Sequence, residues 1–142
     1  MPINPERAMT ATIERMFETH PMPTDTDGSV TAACVQACFD CVQACTACAD
    51  ACLLEGEDLH KCVRLNLDCA DLCDTTGRIL ARASHTDAPM LRALVEACRL
   101  ACEACADECA KHGQHMKHCA VCAEACRRCA DACRKMAGVI VE

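Results

Sequence analysis

The sequence predicts an all-α protein, an antiparallel up-down-up-down four-helix bundle with a short extra N-terminal helix. Three observations predict it. Cysteine recurs in steps of three and four along four separate stretches, which is the spacing of one helix face. Short connections join those stretches, and short connections make consecutive helices antiparallel neighbours. Strands are disfavoured, because alanine is abundant throughout, is depleted in sheets, and no residue-by-residue alternation occurs. The core is unusual in substance. Leu, Ile, Val and Phe number 24 of 142 residues, with no Trp or Tyr, below the roughly 20% at which a chain struggles to build an ordinary interior. The 18 cysteines must help to hold it.

The elements follow in order. Asn4-Pro5-Glu6 reads as an N-cap, a first-turn proline and an acidic first turn. Met9, Ile13, Met16 and Phe17 recur at helical spacing, so an amphipathic helix is expected over 5–19. Pro21, Pro23 and the TDTDGS stretch form a linker. Residues 1–28 are thus expected as N-terminal helix and linker, and 29–142 as the bundle. The first long helix is expected over 30–54, broken by Glu55-Gly56-Glu57. The second runs over 58–83, followed by a turn and cap at Ser84-His85-Thr86-Asp87 with Pro89 just after. The third runs over 88–111, and Gly113 of His112-Gly113-Gln114 takes a helix C′ position. The fourth runs over 115–137 and ends at Gly138.

Charge and the N-terminal stretch narrow the function classes. The net charge is −7 with no run of Lys or Arg, which argues against nucleic acid and anionic membranes as partners. The opening MPINPERAMTATIERMFETH has no basic, apolar or cleavage region of a secretory signal. No uninterrupted apolar run approaches the ~18–20 residues of a membrane span. A cytoplasmic location is expected, where thiols stay reduced. Metal binding or redox work then outranks a disulfide framework.

Register carries the rest. The first long helix holds Cys34, Cys38, Cys41, Cys45, Cys48 and Cys52. The second holds Cys62, Cys69 and Cys73, with Asn66 completing the stripe. The third holds Cys98, Cys102, Cys105 and Cys109, and the fourth Cys119, Cys122, Cys126, Cys129 and Cys133. These are the inward positions that Leu normally fills. A lone cysteine there would be a small core hydrophobe. Eighteen in register on four faces point to metal, since i,i+3 and i,i+4 neighbours lie roughly 5–6 Å apart and two sulfurs can share an ion.

Thiolates favour Cu(I), Zn(II) or iron–sulfur clusters. Exchanging one proton for one Cu(I) leaves the core's charge unchanged. A zinc held by four thiolates carries −2, and buried unpaired charge is expensive; no Lys or Arg lies on the stripes. Ferredoxin-type cysteine runs are absent. Multiple Cu(I) ions per chain are therefore expected. The C-x-x-C pairs, such as Cys38/Cys41 and Cys126/Cys129, lie mid-helix, whereas a redox pair needs an exposed helix N-terminus; no enzyme activity is expected.

The two ends differ. Cys52, Cys62, Cys109 and Cys119 share one end with His112, His115, Met116 and His118, and His60 lies nearby. His112, His115 and Met116 continue the stripes. His118 and His60 fall off the register, and of the two His118 is kept as a candidate ligand. Asn66 is a weak oxygen ligand or a satisfied buried amide. His20, Met22 and His85 read as surface residues. At the other end Leu80, Leu91, Leu94, Val95, Met136 and Ile140 form an apolar plug. Copper is expected to enter and leave at the histidine end.

With cysteine stripes on all four helices and the His/Met cluster by the third connection, residues 30–137 resemble the bacterial copper storage proteins. The missing export signal resembles their cytosolic branch. That resemblance implies a homotetramer of four-helix bundles, many Cu(I) ions on core cysteines, and storage or detoxification of cytosolic copper.

Overall fold

A computed structural model describes residues 11–82 and 84–140. They form five helices: α1 (Thr12–Thr19), α2 (Gly28–Leu53), α3 (His60–Leu80), α4 (Ala88–His112) and α5 (Lys117–Ala137). There is no strand among the described residues. The expected helix start at Asn4-Pro5-Glu6, and Met9, lie outside them; α1 ends at Thr19 as the spacing predicts, but it begins at Thr12 after Ala11, whose ψ of 142° is not helical, so no unbroken helix runs over 5–19.

Local chemistry sets the boundaries. The Asp27 carboxylate accepts from the backbone N–H of Ser29 at 3.0 Å and Val30 at 3.1 Å, so α2 begins at Gly28, two residues before the expected start. Asp87 accepts from the Met90 N–H at 3.1 Å, and this cap fixes the start of α4. The fourth long helix begins at Lys117 rather than at 115. The backbone N–H groups of His115 and Met116 both return to the His112 carbonyl, which makes a turn of 113–116 instead of a first helical turn. Gly113 and Gly138 end their helices in the right-handed region, with φ of −65° and −72°. Neither is the left-handed cap that glycine commonly supplies. What Gly113 provides is close approach, since a Cβ there would sit 3.3 Å from the Ala120 Cβ.

α2 packs on α3 and α5, α4 packs on α3 and α5, and α1 lies on α2. Across two of these contacts, α3 with α4 and α2 with α5, the numbering runs in opposite senses. Cys62 meets Cys109 while Cys73 meets Cys98, and Cys48 meets Cys119 while Cys38 meets Cys129. By length and composition α2 is long and apolar enough to cross a membrane, although Gln36, Asp40, Gln43 and Asp50 interrupt it, so no uninterrupted apolar run of that length occurs. Its apolar character comes mainly from Cys and Ala, and all six of its cysteines are buried against the other helices.

Leu80, Leu91, Val95 and Met136 are each 1% exposed or less and close the end away from the histidines. Ile140 is buried beside them and Leu94 is half-buried. Gly77 lets α3 approach α2, because a Cβ there would meet the Phe39 ring at 3.0 Å and the Cys38 Cβ at 3.3 Å. Replacing Gly77 with Val is expected to lower the stability of the metal-free protein by about 1–3 kcal/mol through overpacking, read as a shift of the urea midpoint. An unshifted midpoint would mean that the Phe39 ring yields freely.

Candidate metal centre

The column is built by the 3/4 register. Each step of three or four residues returns a cysteine to the same helix face, and the four faces meet on a common line. All 18 thiols are free and buried. Sulfurs approach from different helices without bonding. Cys41 Sγ is 3.7 Å from Cys69 and 3.6 Å from Cys126, and Cys45 is 3.5 Å from Cys126, against about 2.05 Å for a disulfide.

Sets of four sulfurs lie within 4.8 Å of one another, and they overlap. Cys41, Cys69, Cys73 and Cys102 make one; Cys41, Cys45, Cys69 and Cys126 another; Cys45, Cys105, Cys122 and Cys126 a third. Cys38, Cys98, Cys129 and Cys133 form a set at the plugged end, and Cys48, Cys52, Cys62 and Cys119 one at the histidine end. Shared members join the three middle sets, and contacts of Cys73 with Cys98 and Cys129 at 3.8 Å, and of Cys109 with Cys62 at 3.5 Å and Cys105 at 4.0 Å, carry the column to its two ends. An ion about 2.3 Å from each thiolate spaces sulfurs about 3.8 Å apart in a tetrahedron and about 4.6 Å apart on a line. Sulfur separations of 3.5 to 4.0 Å thus suit ions shared by several thiolates, and a small opening admits a linear pair.

Charge separates the metals that this geometry admits. The buried polar residues, among those described, are Thr31, Asn66, Thr76 and Glu108. None is a cation, so a stack of −2 zinc tetrathiolates would have no counter-charge. Exchange of H⁺ for Cu⁺ needs none.

Thiol acidity varies within the histidine-end set. The hydrogen-bond contact with Cys109, 3.5 Å away, pulls Cys62 down to about 3. Burial, with the charge of Cys52 beside it, pushes Cys119 up to about 12, and burial also raises Cys52.

The histidines occupy different places from those the register predicts. His118 Nδ1 lies 3.4 Å from Cys48 Sγ and 3.6 Å from Cys119 Sγ, and its Nε2 lies 3.0 Å from Glu55 Oε1. A carboxylate on one ring nitrogen leaves the other facing sulfur, the arrangement that orients a metal-binding imidazole. His118 falls off the stripe when counted from Cys119, yet it sits four residues before Cys122, and that spacing was the available signal. His112 Nε2 pairs with Glu108 Oε2 at 3.2 Å. His115 is exposed and lies 3.7 Å from Glu57; α4 has already ended, so helical register no longer governs it. Met116 is buried at this end. His60 is exposed on Asp58. Glu108, only 8% exposed, also faces Lys111 at 3.3 Å and Lys61 at 3.5 Å. Glu55, three residues after Cys52, continues the first cysteine stripe, and that spacing was the available signal; Glu108, next to Cys109, lies off the stripe of its helix.

Asn66 is fully buried. Its Oδ1 accepts from Cys105 at 3.0 Å, Cys122 at 3.1 Å and Cys109 at 3.6 Å, and its Nδ2 donates to Cys62 at 3.8 Å.

A family model described as copper storage protein matches residues 28–138. Among solved structures, the chain is similar to the copper storage protein Ccsp from Streptomyces lividans loaded with 10 copper equivalents. That match has 45% identity and a TM-score of 0.86, covering 89% of this chain and 98% of the other. A cytosolic copper storage protein from Streptomyces lividans, with five coppers, matches at 49% identity and TM-score 0.76, covering 78% and 93%. A Cu(I)-bound copper storage protein, BsCsp3, matches at 39% identity and TM-score 0.68, covering 76% and 98%.

Proposed function

The chain belongs to the copper storage protein family, and from that premise we propose that it is a non-enzymatic store for Cu(I) in the cytosol. Many ions per chain are held on the thiolates of its 18 cysteines. In each uptake step an S–H bond breaks, an S–Cu bond forms, and the proton leaves to solvent; no oxidation state changes. The observation that carries this reading is the run of buried sulfur sets with no buried cation among the described residues. The architecture is the up-down-up-down four-helix bundle of residues 29–142, preceded by the helix and linker of 1–28. The assembly is a homotetramer, on the family resemblance.

Anaerobic titration with Cu(I) against a competing chelator tests the function. Uptake of roughly one ion per thiol is expected. Saturation near one metal per four thiols, with zinc competing successfully, would replace this reading with that of a zinc or general thiol buffer.

The entry end is the one holding His118, Met116, His112 and His115. His118 takes the leading role there, because its Nδ1 already faces Cys48 and Cys119. His118→Ala is expected to slow both loading and removal by a chelator about tenfold, with capacity lowered by about one ion at most. Transfer kinetics equal to wild type would remove the histidine from the entry path.

A further inference from the structure

Asn66 is the one residue that interrupts a cysteine stripe between two cysteines, falling between Cys62 and Cys69. It lies at the level where the histidine-end thiols meet those of the interior. In the structure its carbonyl oxygen is held by thiol protons from α4 and α5, Cys105 at 3.0 Å and Cys122 at 3.1 Å. A carbonyl has two acceptor sites, and these two nearer thiols fill them, with Cys109 more distant at 3.6 Å.

That arrangement fits only protonated sulfur. When Cu(I) is taken up at Cys105 and Cys122, each S–H bond is replaced by S–Cu and the proton leaves. Both sulfurs then become acceptors, and an oxygen about 3 Å from each would set lone pair against lone pair with no proton between them. An unpaired buried polar group of this kind is costly. The amide holds the remedy in itself. Its oxygen and NH₂ have nearly the same shape, and half a turn about the last side-chain bond exchanges them.

Resting on the Cu(I)-storage reading above, we propose that Asn66 is a positioning residue that changes roles on loading, from accepting thiol hydrogen bonds to donating N–H bonds to the copper-bound thiolates of Cys105 and Cys122. Only the distant Cys62, at 3.8 Å, loses a donor in the exchange. The residue therefore supports the same two sulfurs in both states, which cysteine or leucine at this position could not do. It acts through the thiolates and does not itself hold the ion.

The test compares the full-length wild type with Asn66→Asp and Asn66→Leu, each first shown by circular dichroism to be folded without metal. Anaerobic competition titration with Cu(I) is the first readout. Both variants are expected to keep the capacity to within one ion and to bind a subset of ions about tenfold more weakly, equivalent to 1.4 kcal/mol. Aspartate is expected to be the weaker binder, because it cannot donate. Direct ligation by the Asn66 oxygen predicts the reverse order, with aspartate equal to or tighter than wild type, and that order would overturn the proposal. Affinities identical in all three proteins would also overturn it, reducing Asn66 to packing.

The second readout is the side-chain NH₂ resonance of Asn66 in ¹⁵N-labelled wild type, which should move downfield as copper is added. A stationary resonance would count against the switch even if the affinities differed. Wild-type protein that takes up no Cu(I) would sink the storage reading and this proposal together. Normal wild-type uptake with unaffected variants would sink this proposal alone.

Discussion

Loading with Cu(I) is expected to carry the thermal unfolding transition from an ordinary range to above about 90 °C. The metal-free interior is stabilised by little large apolar volume. Leu80, Leu91, Met136 and Val95 are its largest fully buried apolar side chains, and most of the remaining core is Cys and Ala. The helices nevertheless form without metal, because Asp27 and Asp87 cap α2 and α4 and every long helix packs on two others. Each ion bound only by the folded chain adds about 4 kcal/mol at a free concentration 1,000 times its dissociation constant. A handful of such ions exceeds the roughly 5–15 kcal/mol that holds a typical domain. Circular dichroism under anaerobic conditions checks both halves. The metal-free protein should be strongly helical and melt cooperatively, and the loaded protein should stay helical to the highest temperature reached. A chelator should restore the first curve. A disordered metal-free chain, or coincident melting curves, would contradict the prefolded sulfur column.

Cutting the column at its centre is expected to have the next largest effect. Cys41, Cys45, Cys69 and Cys126 lie within 4.8 Å of one another, and their members also belong to the sets on either side. Serine at all four positions keeps the side-chain shape but substitutes a hard hydroxyl that stays protonated at neutral pH. The sets at the two ends, Cys48/Cys52/Cys62/Cys119 and Cys38/Cys98/Cys129/Cys133, keep all their thiols. Capacity should fall by at least four ions. Uptake should become biphasic, with the plugged-end set filling about tenfold or more slowly than the histidine-end set. Monophasic loading at the wild-type rate would show that copper reaches the interior by a route other than passage from thiol to thiol.

The helices and the identity of the inward faces were legible from residue spacing alone. A cysteine every three or four residues fixes a stripe whatever the stripe packs against, and all 18 thiols are buried in the structure. Boundaries were less legible. The end of α3 at Leu80 and the start of α5 at Lys117 depend on turn hydrogen bonds that a periodic pattern does not encode. Gly113 followed the same rule. Its place at the end of α4 was readable, but its right-handed conformation and its nearness to Ala120 were not.

The entry end shows the limit most clearly. Counting along a helix favoured His112 and His115 over His118. Folding turned His112 toward Glu108 and His115 toward Glu57, and set His118 against Cys48, 70 residues away in sequence. Register is a property of one helix, and it stops where the helix stops.

By itself the sequence determined the helical class, the sulfur-lined faces and the preference for a monovalent soft ion. Each follows from local periodicity or from counting charges, and neither needs a partner in space. Only the tertiary structure decided which sulfurs share a set, which histidine meets them, and that Asn66 stands among four thiols drawn from three helices. Those facts depend on how one helix is rotated and shifted against the next, and side-chain packing between distant residues sets that relation.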